Sequence, residues 1–131
     1  MSTVDTVDAD CLFCKIVAGE VPATVVHRDD TTVAFRDIKP QAPTHVLIVP
    51  TAHIPDVATL AAADPELLAD LFTTAAEVAK AEGIAEGGYR TLFNTGRDAG
   101  QTVFHAHLHL LGGTWLGALA GGSPGDAGSA G

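Results

Sequence analysis

The stretch His105-Ala106-His107-Leu108-His109-Leu110-Leu111 constrains this chain more than any other. Strict alternation over seven residues is the pattern of a half-buried strand. Ala106, Leu108 and Leu110 are therefore expected to enter a core, while His105, His107 and His109 line the opposite face. Solvated faces normally mix charges, and one that offers three imidazoles with no Lys, Glu or Thr points to chemistry. At roughly 3.3 Å of rise per residue the outer two rings begin about 13 Å apart, so bringing all three onto one metal ion would demand a strong bend. Neighbouring pairs on a metal stay open. The more economical reading is a row of imidazoles laid along an extended ligand, one reacting with it and the others holding charge or protons.

The charge balance limits what that ligand is. Seven Lys and Arg stand against 16 Asp and Glu, a formal charge of -9. This excludes nucleic acid or an anionic membrane as the bulk partner, and a bound phosphate would have to be held by local groups. The length of 131 residues, 47% of them hydrophobic, supports one domain with a real core. No apolar run is long enough to span a bilayer, and residues 1–10 are acidic without a basic leader, so a cytoplasmic protein is expected. The spacing Cys11-Leu12-Phe13-Cys14 suits metal or redox chemistry better than a secreted disulfide framework.

Residues 1–10 are too poor in apolar surface to offset the entropy of ordering, and a flexible arm is expected there. Leu12, Phe13, Ile16 and Val17 recur at helical spacing before Gly19, predicting a short helix over 11–18. Residues 24–27 and 32–36 read as a hairpin across the polar turn 28–31. The loop 37–43, with Pro40 and Pro43, leads into a nearly continuous apolar run over 44–50, the pattern of a central strand with His45 near its start. His53 then falls in an irregular connection, an exposed residue by default. Asp64-Pro65-Glu66 opens a long helix to about Glu82, with a stripe of Leu68, Leu71, Phe72, Ala75, Val78 and Ala79. A strand over 89–94 and a glycine-bearing loop over 95–104 lead to the histidine strand, which Gly112-Gly113 ends. Residues 116–131 are Gly-rich and expected to be disordered. The whole is an α+β fold: an antiparallel sheet of about five strands with one long and one short helix, occupying residues 11–115.

The histidine strand resembles the defining motif of the histidine triad (HIT) family. Phe35, Asp37-Ile38, Pro40, His45, Pro50, His53-Ile54, Asn94, Gly100-Gln101-Thr102 and Gly112-Gly113 fall in the order and spacing of its Hint branch. The resemblance implies a HIT-like fold and hydrolysis of purine nucleoside 5′-phosphoramidates. In that chemistry the middle histidine, here His107, is the nucleophile and forms a covalent nucleotidyl-histidine. It further implies that His109 contacts the phosphate and helps protonate the leaving group, and that His45 stands behind the triad that His105 begins.

By the same resemblance Asp37 accepts the ribose hydroxyls, and Phe35 and Ile38 wall the base pocket, with Leu47 there or in the core. Asn94, Gly100, Gln101, Thr102 and Val103 lie on the phosphate side. Thr102 stands where Ser is usual, and Arg36 where His or an apolar residue is common. Successive amides of the 100–103 loop would form an anion-binding nest. No cofactor is implied for the reaction. Cys11, Cys14, His53 and His105 are implied as ligands of a structural Zn2+. A homodimer is implied too, with Trp115 near the leaving-group side. Two alternatives stay open: a dinucleoside polyphosphate hydrolase or nucleotidyl transferase of the same family, and a non-catalytic nucleotide- or zinc-binding interaction protein.

Overall fold

The computed structural model describes residues 10–118; the expected arm, apart from Asp10, and the tail from residue 119 onward lie outside that range. Helix α1 (Leu12–Val17) starts at Cys11, whose Sγ accepts from the Cys14 amide at 3.3 Å. Strands β1 (Val25–Arg28), β2 (Thr32–Arg36) and β3 (Thr44–Pro50) follow. Asp29 ties the β1–β2 turn by accepting from the Thr31 and Thr32 amides, each at 2.9 Å. Next come helices α2 (Val57–Ala63) and α3 (Pro65–Ala81), then strands β4 (Tyr89–Leu92) and β5 (Leu108–Gly112). All pairings are antiparallel, in the spatial order β1-β2-β3-β5-β4.

The register sorts the side chains into two faces. Phe35 lies opposite Leu47, Leu47 opposite His109 and His109 opposite Leu92, so these four share one face. One step along, Ala34, Ile48 and Leu108 share the other face, where they pack with Leu60, Leu71, Val78 and Leu110 beneath the two longer helices. The first face is covered by α1, whose Phe13 and Ile16 pack with Val33, Phe35, Leu47 and Val49. β3 is buried along its whole length, as its apolar run predicts.

Four features differ from the sequence expectation. The fold has three helices, because α2 adds one between the irregular connection and α3. Asp56 caps it by accepting from the Thr59 amide at 2.8 Å, but only Leu60 of α2 is buried, so two turns left no apolar stripe to read. The non-helical backbone of Asp64 (φ -154°, ψ 78°) separates α2 from α3 while its side chain caps α3 at Leu67.

The buried stripe of α3 is turned by about one residue. Leu67 and Thr74 are inside, Thr74 Oγ1 lying 3.1 Å from Thr32 Oγ1, whereas Phe72 is half exposed and packs edge-on against Phe93. The third difference is at β4, which ends at Leu92 rather than Asn94.

The last concerns the histidine stretch itself. Ladder pairing begins at Leu108, not His105. The His105 carbonyl accepts from the His107 side chain at 2.8 Å, which withdraws it from the ladder, and Ala106 donates to the Ile54 carbonyl at 2.7 Å.

Candidate active site

The three histidines are fully buried, at 0%, 3% and 1% exposure for His105, His107 and His109, so no solvated face is involved. Buried polar groups must be paired, and the pairings here fix which ring nitrogen carries each proton. His107 Nδ1 sits 2.8 Å from the His105 carbonyl oxygen. A carbonyl only accepts, so Nδ1 holds the hydrogen and the lone pair of the neutral ring is on Nε2. Phe13 packs edge-on against this ring at 5.0 Å and 89°, and the His109 ring lies 5.0 Å from it on the other hand.

The same reasoning runs through His45. Its Nδ1 accepts from the Gln41 amide at 3.0 Å, which places its hydrogen on Nε2, 3.0 Å from His109 Nδ1. His109 Nδ1 is therefore the acceptor, and His109 carries its hydrogen on Nε2. Burial holds His45 below the usual 6.5, partly offset by the Asp37 carboxylate 3.4 Å away and reinforced by His107, so the ring is neutral at neutral pH. Asp37, His45 and His109 form a compact donor group, but the 3.0 Å contact within it is a hydrogen bond.

His105 faces a different cluster. Its Nε2 donates to the Pro50 carbonyl at 2.9 Å, leaving the Nδ1 lone pair toward Cys11 Sγ at 3.4 Å and Cys14 Sγ at 3.5 Å. Half-buried His53 brings Nδ1 within 3.4 Å of Cys14 Sγ. The four donor atoms lie within 4.8 Å of one another. In a tetrahedral site with metal–sulfur bonds near 2.3 Å and metal–nitrogen bonds near 2.05 Å, sulfur and nitrogen ligands stand about 3.6 Å apart, so this donor set fits a metal ion. The Pro50 contact already selects the tautomer that ligation needs. Burial above all pushes His105 down to about 4, and the backbone bond to Pro50 only partly opposes this.

Beside the histidines opens a cavity of about 280 Å³. Phe13, Ile16, Phe35, Ile38 and Leu47 give it apolar walls, Asp37 and Lys39 stand on it, and Thr102, Val103, His107 and His109 also line it. A flat apolar ring with a polar, phosphate-bearing extension matches that distribution.

The HIT domain family model matches residues 18–115. The chain belongs to the HIT family. Over 110 residues it is 49% identical to the purine nucleoside phosphoramidase of Escherichia coli K12, covering 84% of this chain and 92% of that protein. Among solved structures it is similar to a HIT family hydrolase from Clostridium thermocellum, with a TM-score of 0.83, 46% identity, and coverage of 86% of this chain and 97% of that one. It is also similar to a HIT family hydrolase from Legionella pneumophila, with a TM-score of 0.80, 53% identity, and coverage of 82% and 96%.

Within this HIT chain the residues named from sequence do not all reach the cavity. Phe35, Asp37, Ile38, Thr102, Val103, His107 and His109 line it. Gln101 does not: its amide oxygen accepts from Gly96 at 2.8 Å, and its nitrogen donates to the carbonyls of Pro55 at 2.8 Å and Val103 at 3.1 Å. It braces the loop. Gly100 ends a short 3-10 turn (Arg97–Ala99) in the left-handed region at φ 87°, a conformation other residues adopt at a cost. Asn94 lies half buried just past β4, outside the cavity lining. The Arg36 guanidinium turns to the helical side, where Glu82 holds it through contacts of 2.8 and 2.9 Å. Phe13 and Ile16 are among the cavity-lining residues that the sequence reading missed, because on a short amphipathic helix both read as ordinary core.

Proposed function

We propose that this chain hydrolyses purine nucleoside 5′-phosphoramidates through a covalent nucleotidyl intermediate on His107. The observation that carries the reading is the 2.8 Å contact from His107 Nδ1 to the His105 carbonyl, which commits the ring to one tautomer with its lone pair on Nε2. The E. coli relative's name supplies the substrate class.

The groups divide the work between two half-reactions. His107 Nε2 forms a bond to phosphorus as the P–N bond breaks, and the positive charge that develops on the ring is stabilised by its Nδ1–H bond to the His105 carbonyl. The departing nitrogen accepts a hydrogen bond from His109 Nε2–H and leaves as the amine on taking a proton from solvent, so that His109 stays neutral. Water then attacks phosphorus, gives up a proton to solvent, and releases the nucleoside monophosphate with the His107 lone pair restored. His45 keeps His109 in the donating tautomer, Asp37 accepts from the ribose hydroxyls, and the Thr102 hydroxyl meets the leaving-group side.

Cys11, Cys14, His53 and His105 would hold a structural Zn2+, supported by the spacing of their donor atoms and the His105 tautomer. When bound, the ion would tie α1 to the sheet; it takes no part in the reaction. A reducing, cytoplasmic setting suits two unbridged thiols. A homodimer is supported by β4 standing at the sheet edge with Tyr89 and Phe72 half exposed beside it. Residues 11–115 form the working unit.

The test is turnover of adenosine 5′-phosphoramidate by the purified protein beside His107→Ala. A loss on the order of 10³-fold or more is expected when the nucleophile is removed. Equal inertness of both proteins, with nucleotide still bound, would overturn the reading in favour of a binding protein.

A further inference from the structure

Cys11 and Cys14 are free thiols that the proposed reaction does not use, and the fold sets them on one turn. Cys11 caps α1, and its Sγ accepts from the Cys14 amide at 3.3 Å, so its side chain is folded back toward Cys14. The two sulfurs lie within 4.8 Å of one another. A disulfide brings them to about 2.05 Å, and because both side chains share one turn, that closure asks no other element to move. The two thiols differ in access. Cys11 lines a cleft of about 390 Å³ together with His53, Pro55 and Phe104, whereas Cys14, 3% exposed, lines neither this cleft nor the cavity beside the histidines.

We infer that Cys11 and Cys14 form a redox modification site, in which hydrogen peroxide entering the cleft oxidises Cys11, Cys14 closes the disulfide, and the new bond loosens α1. Cys11 Sγ attacks a peroxide oxygen, the O–O bond breaks, and water leaves with the Cys11 thiol proton, giving a sulfenic acid. Cys14 Sγ then attacks the Cys11 sulfur, the S–O bond breaks, and the hydroxyl leaves as a second water with the Cys14 proton. The two sulfurs together lose two electrons, and one hydrogen peroxide gains them. In the thiol form both sulfurs reach out of the helix. Cys11 and Cys14 stand 3.4 and 3.5 Å from His105 Nδ1, which is an acceptor because Nε2 donates to Pro50, and Cys14 stands 3.4 Å from His53 Nδ1. A disulfide has no S–H to offer, and its sulfurs cannot hold a metal ion at the same time, so a tie from α1 to two other segments becomes a bond within one turn. Phe13 lies between the two cysteines, packs edge-on against His107 at 5.0 Å and Phe35 at 5.4 Å, and walls the cavity with Ile16, so a looser α1 is felt there. The disulfide stands apart from the phosphoramidase reading; only its effect on nucleotide affinity rests on the cavity which that reading assigns.

The experiment treats the full chain with hydrogen peroxide and follows mass, free thiols and AMP affinity, with Cys14→Ser and Cys11→Ser treated alongside in the presence of dimedone, which traps sulfenic acids. Expected in the wild type are a mass loss of about 2 Da with both thiols gone, and an AMP dissociation constant raised about three- to tenfold, the worth of one lost hydrogen bond or two. Dithiothreitol should reverse all three. Cys14→Ser should hold a dimedone adduct on Cys11, and Cys11→Ser should be labelled more slowly at Cys14. Thiols that survive peroxide, or that oxidise without pairing in the wild type, would overturn the site. Faster labelling of Cys14 than of Cys11 would overturn the order of attack. A disulfide form that binds AMP as tightly as the reduced form would overturn the loosening of α1. A reduced chain that binds no AMP would instead overturn the nucleotide reading, and the disulfide would still be decided by mass and thiol count.

Discussion

His45 Nε2 lies 3.0 Å from His109 Nδ1, and the Gln41 amide donates to His45 Nδ1 at 3.0 Å, so one backbone N–H sets the tautomer of two buried rings in succession. Position 45 is thereby coupled to the proton that His109 carries, although His45 does not line the cavity.

Replacing His45 by Phe should abolish that control and reduce kcat by about 10- to 100-fold, the usual effect of removing a group that orients a reacting one. His45→Gln should recover part of the loss, because its amide can both accept from Gln41 and donate to His109. Steady-state kinetics on the two variants checks this. Equal losses in both would show that the position matters for packing alone.

The burial of neutral His45 also has a sign in pH. Its folded pKa lies below the unfolded 6.5, so between those values the unfolded chain binds more protons than the folded one. The stability contributed by neutral His45 is complete above about 6.5 and is lost as pH falls from there toward the folded value. Asp37, 3.4 Å away, reduces the effect, and His107 adds to it. Denaturant unfolding at a series of pH values should show stability falling on the acid side, with a shallower slope in His45→Gln. Identical slopes would remove His45 as the cause.

How far the sequence could be read follows from the kind of signal each residue left. The His105–Leu111 alternation has period two and announced a strand and its faces, and the apolar run over 44–50 announced a central strand. The start of β5 was hidden, because a side chain and not a strand occupies the His105 carbonyl. Helix α2 was hidden because it buries one residue, Leu60. The spacing of Cys11 and Cys14 was legible as half of a donor set, whereas His53 and His105 joined it through the resemblance. Gln101 is legible as a residue of the loop over 95–104, but of its three backbone partners Pro55 is a tertiary contact that no local pattern encodes.

The cysteine–histidine cluster gives the last prediction. Helix α1 with its cap holds both Cys11 and Cys14 and also Phe13 and Ile16, which wall the cavity proposed for the nucleoside, so the donor set and that wall share six residues of helix and its cap. Loss of metal should therefore weaken nucleotide binding more than the chemical step. With zinc at about a hundred times its dissociation constant, the ion should add roughly 2–3 kcal/mol to folding stability, and a chelator should remove it. Cys14→Ser should behave as the chelated protein does, with less bound zinc, a lower unfolding midpoint, and a KM raised more than kcat is lowered. Zinc content, thermal unfolding and AMP affinity on the same samples would check each part. If wild-type protein holds no zinc and its unfolding midpoint ignores the chelator, the cluster is a pair of buried thiols packed against two histidines, and α1 is held by its apolar face alone.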